Sequence, residues 1–163
     1  MREPALSLAA ADPQRMRAIG ARLAAAIRAA GVVQPLVIGL SGELGAGKTT
    51  LVSGLLGALG HEGPVRSPTY TLVEPYRLDG RDVHHCDLYR LRDPAELDDL
   101  GLRDLMVERG VMLVEWPERA GDRLGVPDLK LRLGYLDDGR SVDVEPVSEQ
   151  GRRVADALRL DRA

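Results

Sequence analysis

Pro35-Leu36-Val37-Ile38-Gly39-Leu40-Ser41 followed by Gly42-Glu43-Leu44-Gly45-Ala46-Gly47-Lys48-Thr49 carries two signals in one run. The first part is short and almost wholly apolar, the pattern of a strand buried on both faces in a parallel sheet. The second is a complete glycine-rich phosphate loop. Its glycines let the backbone curl so that successive N–H groups point inward at phosphate oxygens. The helix expected from about Thr49 to Leu59 adds the positive end of its dipole. Lys48 is placed to reach β- and γ-phosphates, and the Thr49 hydroxyl to ligate Mg²⁺. ATP contacts are therefore expected along Leu44, Gly45, Ala46, Gly47, Lys48, Thr49 and Thr50. A chance glycine turn would need neither the lysine nor the hydroxyl, and the strand–loop–helix context argues against it. Guanine readers carry an Asn/Thr-Lys-x-Asp segment. Lys130 is the only lysine besides Lys48 and its neighbours do not fit, so adenine is favoured.

Working outward, Leu6 and Leu8 alternate in a short first strand. Asp12 caps a helix from Pro13 to Ala30, with Met16, Ile19, Leu23 and Ile27 on one stripe and Gly31 closing it. After the phosphate-loop helix, Tyr70–Leu78 and Asp82–Tyr89 flank Asp79-Gly80, a hairpin signal. Asp93-Pro94-Ala95-Glu96 opens a helix with a capping box, its buried side expected at Leu97, Leu100, Leu102 and Leu105. Val111–Val114 is a second buried strand, Leu129–Tyr135 and Ser141–Glu145 form a second hairpin around Asp137-Asp138-Gly139, and Glu149–Leu160 closes the chain as a helix. The expected fold is α/β and P-loop NTPase-like, a three-layer sandwich with a mainly parallel central sheet and added antiparallel hairpins.

Bulk properties agree. With 163 residues, 44% hydrophobic, residues 1–163 read as one domain with one core. The net charge of −3 carries no basic nucleic-acid footprint. One cysteine, Cys86, forms no internal disulfide and fits a reducing compartment. Met1–Ala11 lacks the basic start and apolar core of a signal peptide, and no apolar run approaches the ~20 residues of a membrane span. A cytoplasmic protein without membrane contact is the expectation.

Hydrolysis needs an acid on a neighbouring strand to hold Mg²⁺ or orient water. Glu115 closes the apolar strand Val111–Val114 and is the better placed. Asp87, after Val83-His84-His85-Cys86, reads equally as a polar strand end. Thr69 in Ser67-Pro68-Thr69 is either a γ-phosphate sensor or part of a proline-shaped turn. His84 and His85 alternate across a strand and lack a second ligand cluster, which argues against a metal there. Trp116, the only tryptophan, is explained as well by packing.

Four segments occur in order: Gly42–Thr50, Ser67-Pro68-Thr69-Tyr70-Thr71-Leu72-Val73, His85-Cys86-Asp87-Leu88-Tyr89-Arg90-Leu91 and Val114-Glu115-Trp116-Pro117. Together they resemble the bacterial TsaE (YjeE) family, small ATPases of threonylcarbamoyladenosine synthesis on tRNA. The resemblance runs from the Pro13 helix to the Arg140 hairpin. It implies phosphate and Mg²⁺ contacts at Lys48 and Thr49, a switch-like loop at Thr69, and a Walker-B-like acid at Asp87, which touches the metal directly or through water. It further implies a metal-side acid at Glu115, with Trp116 as its companion, and peripheral nucleotide contacts at Gln14 and Arg140. It implies ATP and Mg²⁺ as cofactors, TsaB and TsaD as partners, tRNA engaged through that assembly, and slow hydrolysis by the chain alone. One departure is Cys86, where the family has Phe. This chain has no Phe at all, and a smaller apolar residue fills the space. A small-molecule kinase remains the alternative, although Arg119, Arg123 and Arg132 are scattered rather than gathered on a lid. A non-catalytic ATP-sensing module is a third reading.

Overall fold

A computed structural model describes residues 4–107 and 109–161. The outer ends of the 1–163 domain reading, and the first three residues of the Met1–Ala11 segment, lie outside them. The described elements run β1 (Leu6–Ala10), α1 (Pro13–Ala29), β2 (Leu36–Ser41), α2 (Lys48–Ala58), β3 (Val73–Leu78), β4 (Arg81–Asp87), α3 (Glu96–Asp99), β5 (Val111–Glu115), β6 (Leu129–Leu136), β7 (Gly139–Pro146) and α4 (Glu149–Leu160).

The strands form one seven-stranded sheet in the order β1-β7-β6-β2-β5-β4-β3. β6, β2, β5 and β4 are mutually parallel, while β1 and β7 on one side and β3 on the other add antiparallel edges. The all-apolar runs become the central strands: every residue of β5 is buried, and so is β2 as far as Leu40. The alternating runs become hairpins at the margins, with Asp79 and Gly80 both left-handed in the tight turn that joins β3 to β4. The expected strand start at Tyr70 is corrected. Tyr70 and Thr71 form a turn, and pairing begins at Val73.

One face is covered by α1, α2 and α4 over Leu36, Ile38, Leu40, Leu113 and Leu131. Asp12 caps α1 by accepting from the Arg15 N–H at 2.8 Å. α1 and α2 meet at glycines. A Cβ built on Gly20 would lie 2.0 Å from the Leu51 carbonyl oxygen, and one on Gly54 2.0 Å from the Arg17 carbonyl oxygen. This backbone-to-backbone approach sets how closely α2, and the loop that feeds it, lies on α1.

The opposite face holds a smaller core of Val37, Cys86, Leu88, Leu97, Met112 and Val114. The single helix expected after Asp93 is instead two short pieces, α3 and a 3-10 turn at Leu102–Leu105. One arm of the expected capping box forms, with the Arg92 and Asp93 N–H groups donating to Glu96, while the Asp93 side chain accepts from the Ala95 N–H at 2.9 Å instead of from Glu96. Gly101 then takes φ +63° and breaks the helix. Leu97 and Leu102 are buried, while Leu100 and Leu105 are only partly so.

Candidate nucleotide site

The site lies at the C-terminal ends of β2, β5 and β4, where ligands collect in open parallel sheets. Register creates it. Leu40 of β2 lies beside Glu115 of β5, and Glu115 beside Asp87 of β4. The period of two directs His85, Asp87 and Glu115 to the helix-covered face and Cys86 and Val114 to the other. Chain segments about thirty and seventy residues apart thus converge beyond the edge of the sheet.

The loop between β2 and α2 needs its glycines. Gly47, the residue before α2, takes φ +107°, and a Cβ there would press on the Met16 side chain at 3.0 Å. Lys48 is buried and folds back so that its ammonium donates to the Gly42 and Glu43 carbonyls. The same nitrogen stands 4.0 Å from the centre of the Trp116 ring. Burial lowers the Lys48 pKa from 10.5, and the nearby carboxylates of Glu115, Glu118 and Asp87 work against that drop.

Thr49 Oγ1 donates to Glu115 Oε1 and Oε2 at 3.1 and 3.0 Å. The buried His85 ring places Nε2 2.6 Å from Glu115 Oε2. A carboxylate accepts, so Nε2 carries the proton, and the buried Nδ1 has no partner among the described residues. Ser67 Oγ donates to Asp87 and, more weakly, to Glu115 at 3.5 Å. Asp87 Oδ1 accepts from the Tyr89 N–H at 3.0 Å, and the Asp87 N–H donates to the Leu72 carbonyl at 2.9 Å. Hydroxyl and carboxylate oxygens therefore meet beside one ammonium, a hard donor set of the kind Mg²⁺ takes together with phosphate oxygens.

Two cavities flank the loop. One, of about 380 Å³, is lined by Lys48, Thr49, Ser67, Thr69, Asp87, Tyr89, Arg90, Glu115 and Trp116. The other, of about 290 Å³, lies among Ala11, Pro13, Met16, Gly139 and Arg140. Gly45, Gly47 and Thr50 border both. Leu44 and Ala46 border the first only. Arg140 donates to the Gly45 carbonyl at 3.3 Å and stacks over Tyr135 at 4.2 Å. The Tyr135 hydroxyl in turn donates to the Leu44 carbonyl at 2.6 Å. Gln14 is exposed on the first turn of α1, next to Pro13 of the second cavity's wall. Thr69 is half-buried and points its hydroxyl at the Ser67 carbonyl, 3.5 Å away.

Three polar residues of this arrangement were not singled out from sequence. From sequence, Ser67 reads as part of a turn, His85 as a strand residue with no second ligand cluster, and Tyr135 as a strand residue. Each acts through a partner distant in the chain. The sole local signal is that Ser67 and His85 sit inside segments already marked.

A family model described as "Threonylcarbamoyl adenosine biosynthesis protein TsaE" matches residues 10–142. The tRNA threonylcarbamoyladenosine biosynthesis protein TsaE of Streptomyces coelicolor is 44% identical over 139 residues, covering 83% of this chain and 90% of that one. The protein of the same name from Haemophilus influenzae is 42% identical over 123 residues, covering 76% and 78%. The crystal structure of Bacillus subtilis YdiB superposes with a TM-score of 0.74 at 27% identity, over 97% of this chain and 96% of that one.

Proposed function

Because this chain belongs to the TsaE family, we propose that it binds ATP with Mg²⁺ on the Gly42–Thr50 loop and hydrolyses it in support of threonylcarbamoyladenosine formation on tRNA. The carrying observation is the convergence of Thr49, Glu115 and Asp87 beside Lys48. The loop amides and Lys48 bind the phosphates. Thr49 and Glu115 hold the metal, and Asp87 orients the attacking water. When bound, the metal neutralises charge shared by the β- and γ-phosphates. His85 fixes the Glu115 carboxylate, so the metal-side oxygen does not have to be ordered when ATP arrives.

The second cavity suits the adenosine end, with Arg140 at its rim and Gln14 nearby. Ser67 and Thr69 lie on the loop whose order would follow the γ-phosphate, since Ser67 now uses the carboxylates that nucleotide and metal would engage. In this reading the cytoplasmic partners are TsaB and TsaD, and tRNA is reached through their assembly. No described helix is long and apolar enough to cross a membrane. The kinase alternative gains nothing from the arginines. Arg123 is tied to Asp98, Arg119 lies beside the Tyr89 and Trp116 rings, and Arg132 stands on β6, so the three share no lid-like helix.

The test is nucleoside mass analysis of tRNA from cells depleted of this protein and resupplied with the native chain or Lys48→Ala. Loss of threonylcarbamoyladenosine, restored by the native chain alone, is expected. Normal modification in depleted cells would overturn the pathway assignment.

A further inference from the structure

Among the residues lining the phosphate-side cavity, Lys48 and Arg90 are the only cations. Lys48 is committed to the loop, where the Gly42 and Glu43 carbonyls hold it. Arg90 is different. It is exposed and forms no ion pair among the described residues, and its guanidinium carbon lies 4.7 Å from the centre of the Tyr70 ring. Tyr70 is 82% exposed. A large ring left in solvent gains little by packing, so its contact with the guanidinium is the interaction that orders both side chains.

The backbone beneath Arg90 is held firmly. The Leu88 N–H donates to the Glu115 carbonyl at 3.1 Å, the Tyr89 N–H to Asp87 Oδ1 at 3.0 Å, and the Leu91 N–H to the Leu88 carbonyl at 3.0 Å. Arg90 thus has a base anchored on both site acids and a tip that rests on an exposed ring. Its side chain spans several ångströms and ends in a planar fork that matches two phosphate oxygens.

We propose that Arg90 is a catalytic residue supplied by the chain itself: its guanidinium leaves the Tyr70 ring to meet the γ-phosphate oxygens during hydrolysis. Tyr70 is a positioning residue that keeps the fork at the cavity wall. This rests on the ATP-hydrolysing reading above. In the step, a water oxygen bonds to the γ-phosphorus while the bond from that phosphorus to the β–γ bridging oxygen breaks, and its electron pair leaves with ADP. One water proton stays on the orthophosphate, and the other passes through Asp87 to solvent. Charge on the γ-phosphoryl oxygens is spread most widely at the transition state, where a guanidinium is most effective. Arg119 is the competing choice. It does not line the cavity, and it lies 5.5 Å from the Tyr89 ring and 5.9 Å from the Trp116 ring.

The test is single-turnover hydrolysis of MgATP with the full chain in excess, beside the affinities for MgADP alone and for MgADP with fluoroaluminate. Arg90→Ala is expected to lower turnover by on the order of 10²–10³-fold. MgADP affinity should change by less than about 3-fold, the fluoroaluminate complex should weaken in step with turnover, and free guanidinium should restore part of the rate. Tyr70→Ala should lose turnover to a smaller degree, and Tyr70→Phe, which keeps the ring, should recover it. Turnover and fluoroaluminate affinity at native levels in Arg90→Ala, or their loss in Arg119→Ala instead, would overturn the assignment of Arg90 while leaving ATP hydrolysis standing. A native chain that binds MgATP and hydrolyses it no faster than buffer would overturn both.

Discussion

The hydroxyl of Thr49, at the start of α2, donates to the carboxylate of Glu115, at the end of β5, across 3.0 Å. The contact joins the Gly42–Thr49 loop to the neighbouring strand. His85 holds the far side of the same carboxylate at 2.6 Å. The carboxylate is thus oriented from both sides by groups of the chain itself, and in the proposed function that fixed orientation would lower the reorganisation on binding metal and phosphate.

Glu115→Gln keeps the shape of this knot and removes its charge. ATP affinity is expected to stay within about 5-fold of native, while Mg²⁺-dependent turnover falls by at least about 100-fold. Titration calorimetry with and without Mg²⁺, together with phosphate release, separates the two effects. Full turnover in Glu115→Gln would remove Glu115 from the metal side.

Lys48→Ala should weaken ATP binding by about 10- to 100-fold, the range of a lost charge-assisted hydrogen bond. Titration calorimetry compares the two chains, and in the native chain the Trp116 ring under the ammonium adds an optical signal, since indole emission should change as Lys48 turns from the ring to phosphate. The pH dependence follows from the lowered Lys48 pKa. Bound phosphate raises that pKa, so binding takes up a proton, and affinity falls as pH rises through the pKa of the free chain. The unliganded fold behaves oppositely. Its Lys48 binds fewer protons than the unfolded chain does between the lowered value and 10.5, so its stability rises with pH across that window. An ATP affinity flat from neutral pH up to pH 10.5 would contradict the first half.

Cys86 is fully buried, and burial pushes its thiol up to about 12. At pH 8 almost no thiolate forms in the folded state, so iodoacetamide should leave the native chain unmodified for hours and label it completely in guanidinium chloride. Intact-mass spectrometry reads the result. Rapid native labelling would show that the second core opens.

Gly54→Ala should destabilise the chain by about 2–3 kcal/mol, because its Cβ would meet the Arg17 backbone rather than a movable side chain. That corresponds to a fall in Tm of about 5–10 °C. Gly57→Ala, three residues along the same helix with open space at its Cβ, should be neutral or stabilising by up to about 1 kcal/mol. Thermal melts that order the two variants the other way would disprove the glycine contact.

The phosphate loop, Lys48, Thr49, Asp87 and Glu115 could all be named from sequence, because each belongs to a short pattern: an apolar run ending in an acid, or glycines at fixed intervals before a lysine. The more apolar strand that Glu115 closes already ranks it above Asp87 from sequence. Both end strands, and only the β4–β5 register shows that they lie side by side and share Ser67.

What the sequence determined by itself was the set of buried strands, the capped helices and the loop that curls before α2. These depend on periodicity and backbone preference within a dozen or so neighbouring residues. Only the tertiary structure decided that His85 supports Glu115, that Tyr135 and Arg140 close on the loop from the far hairpin, and that Gly101 splits the helix after Asp93 in two. Those facts depend on which distant segments share a strand edge or a core face. A sequence pattern records which face a residue points to, and not what stands opposite it.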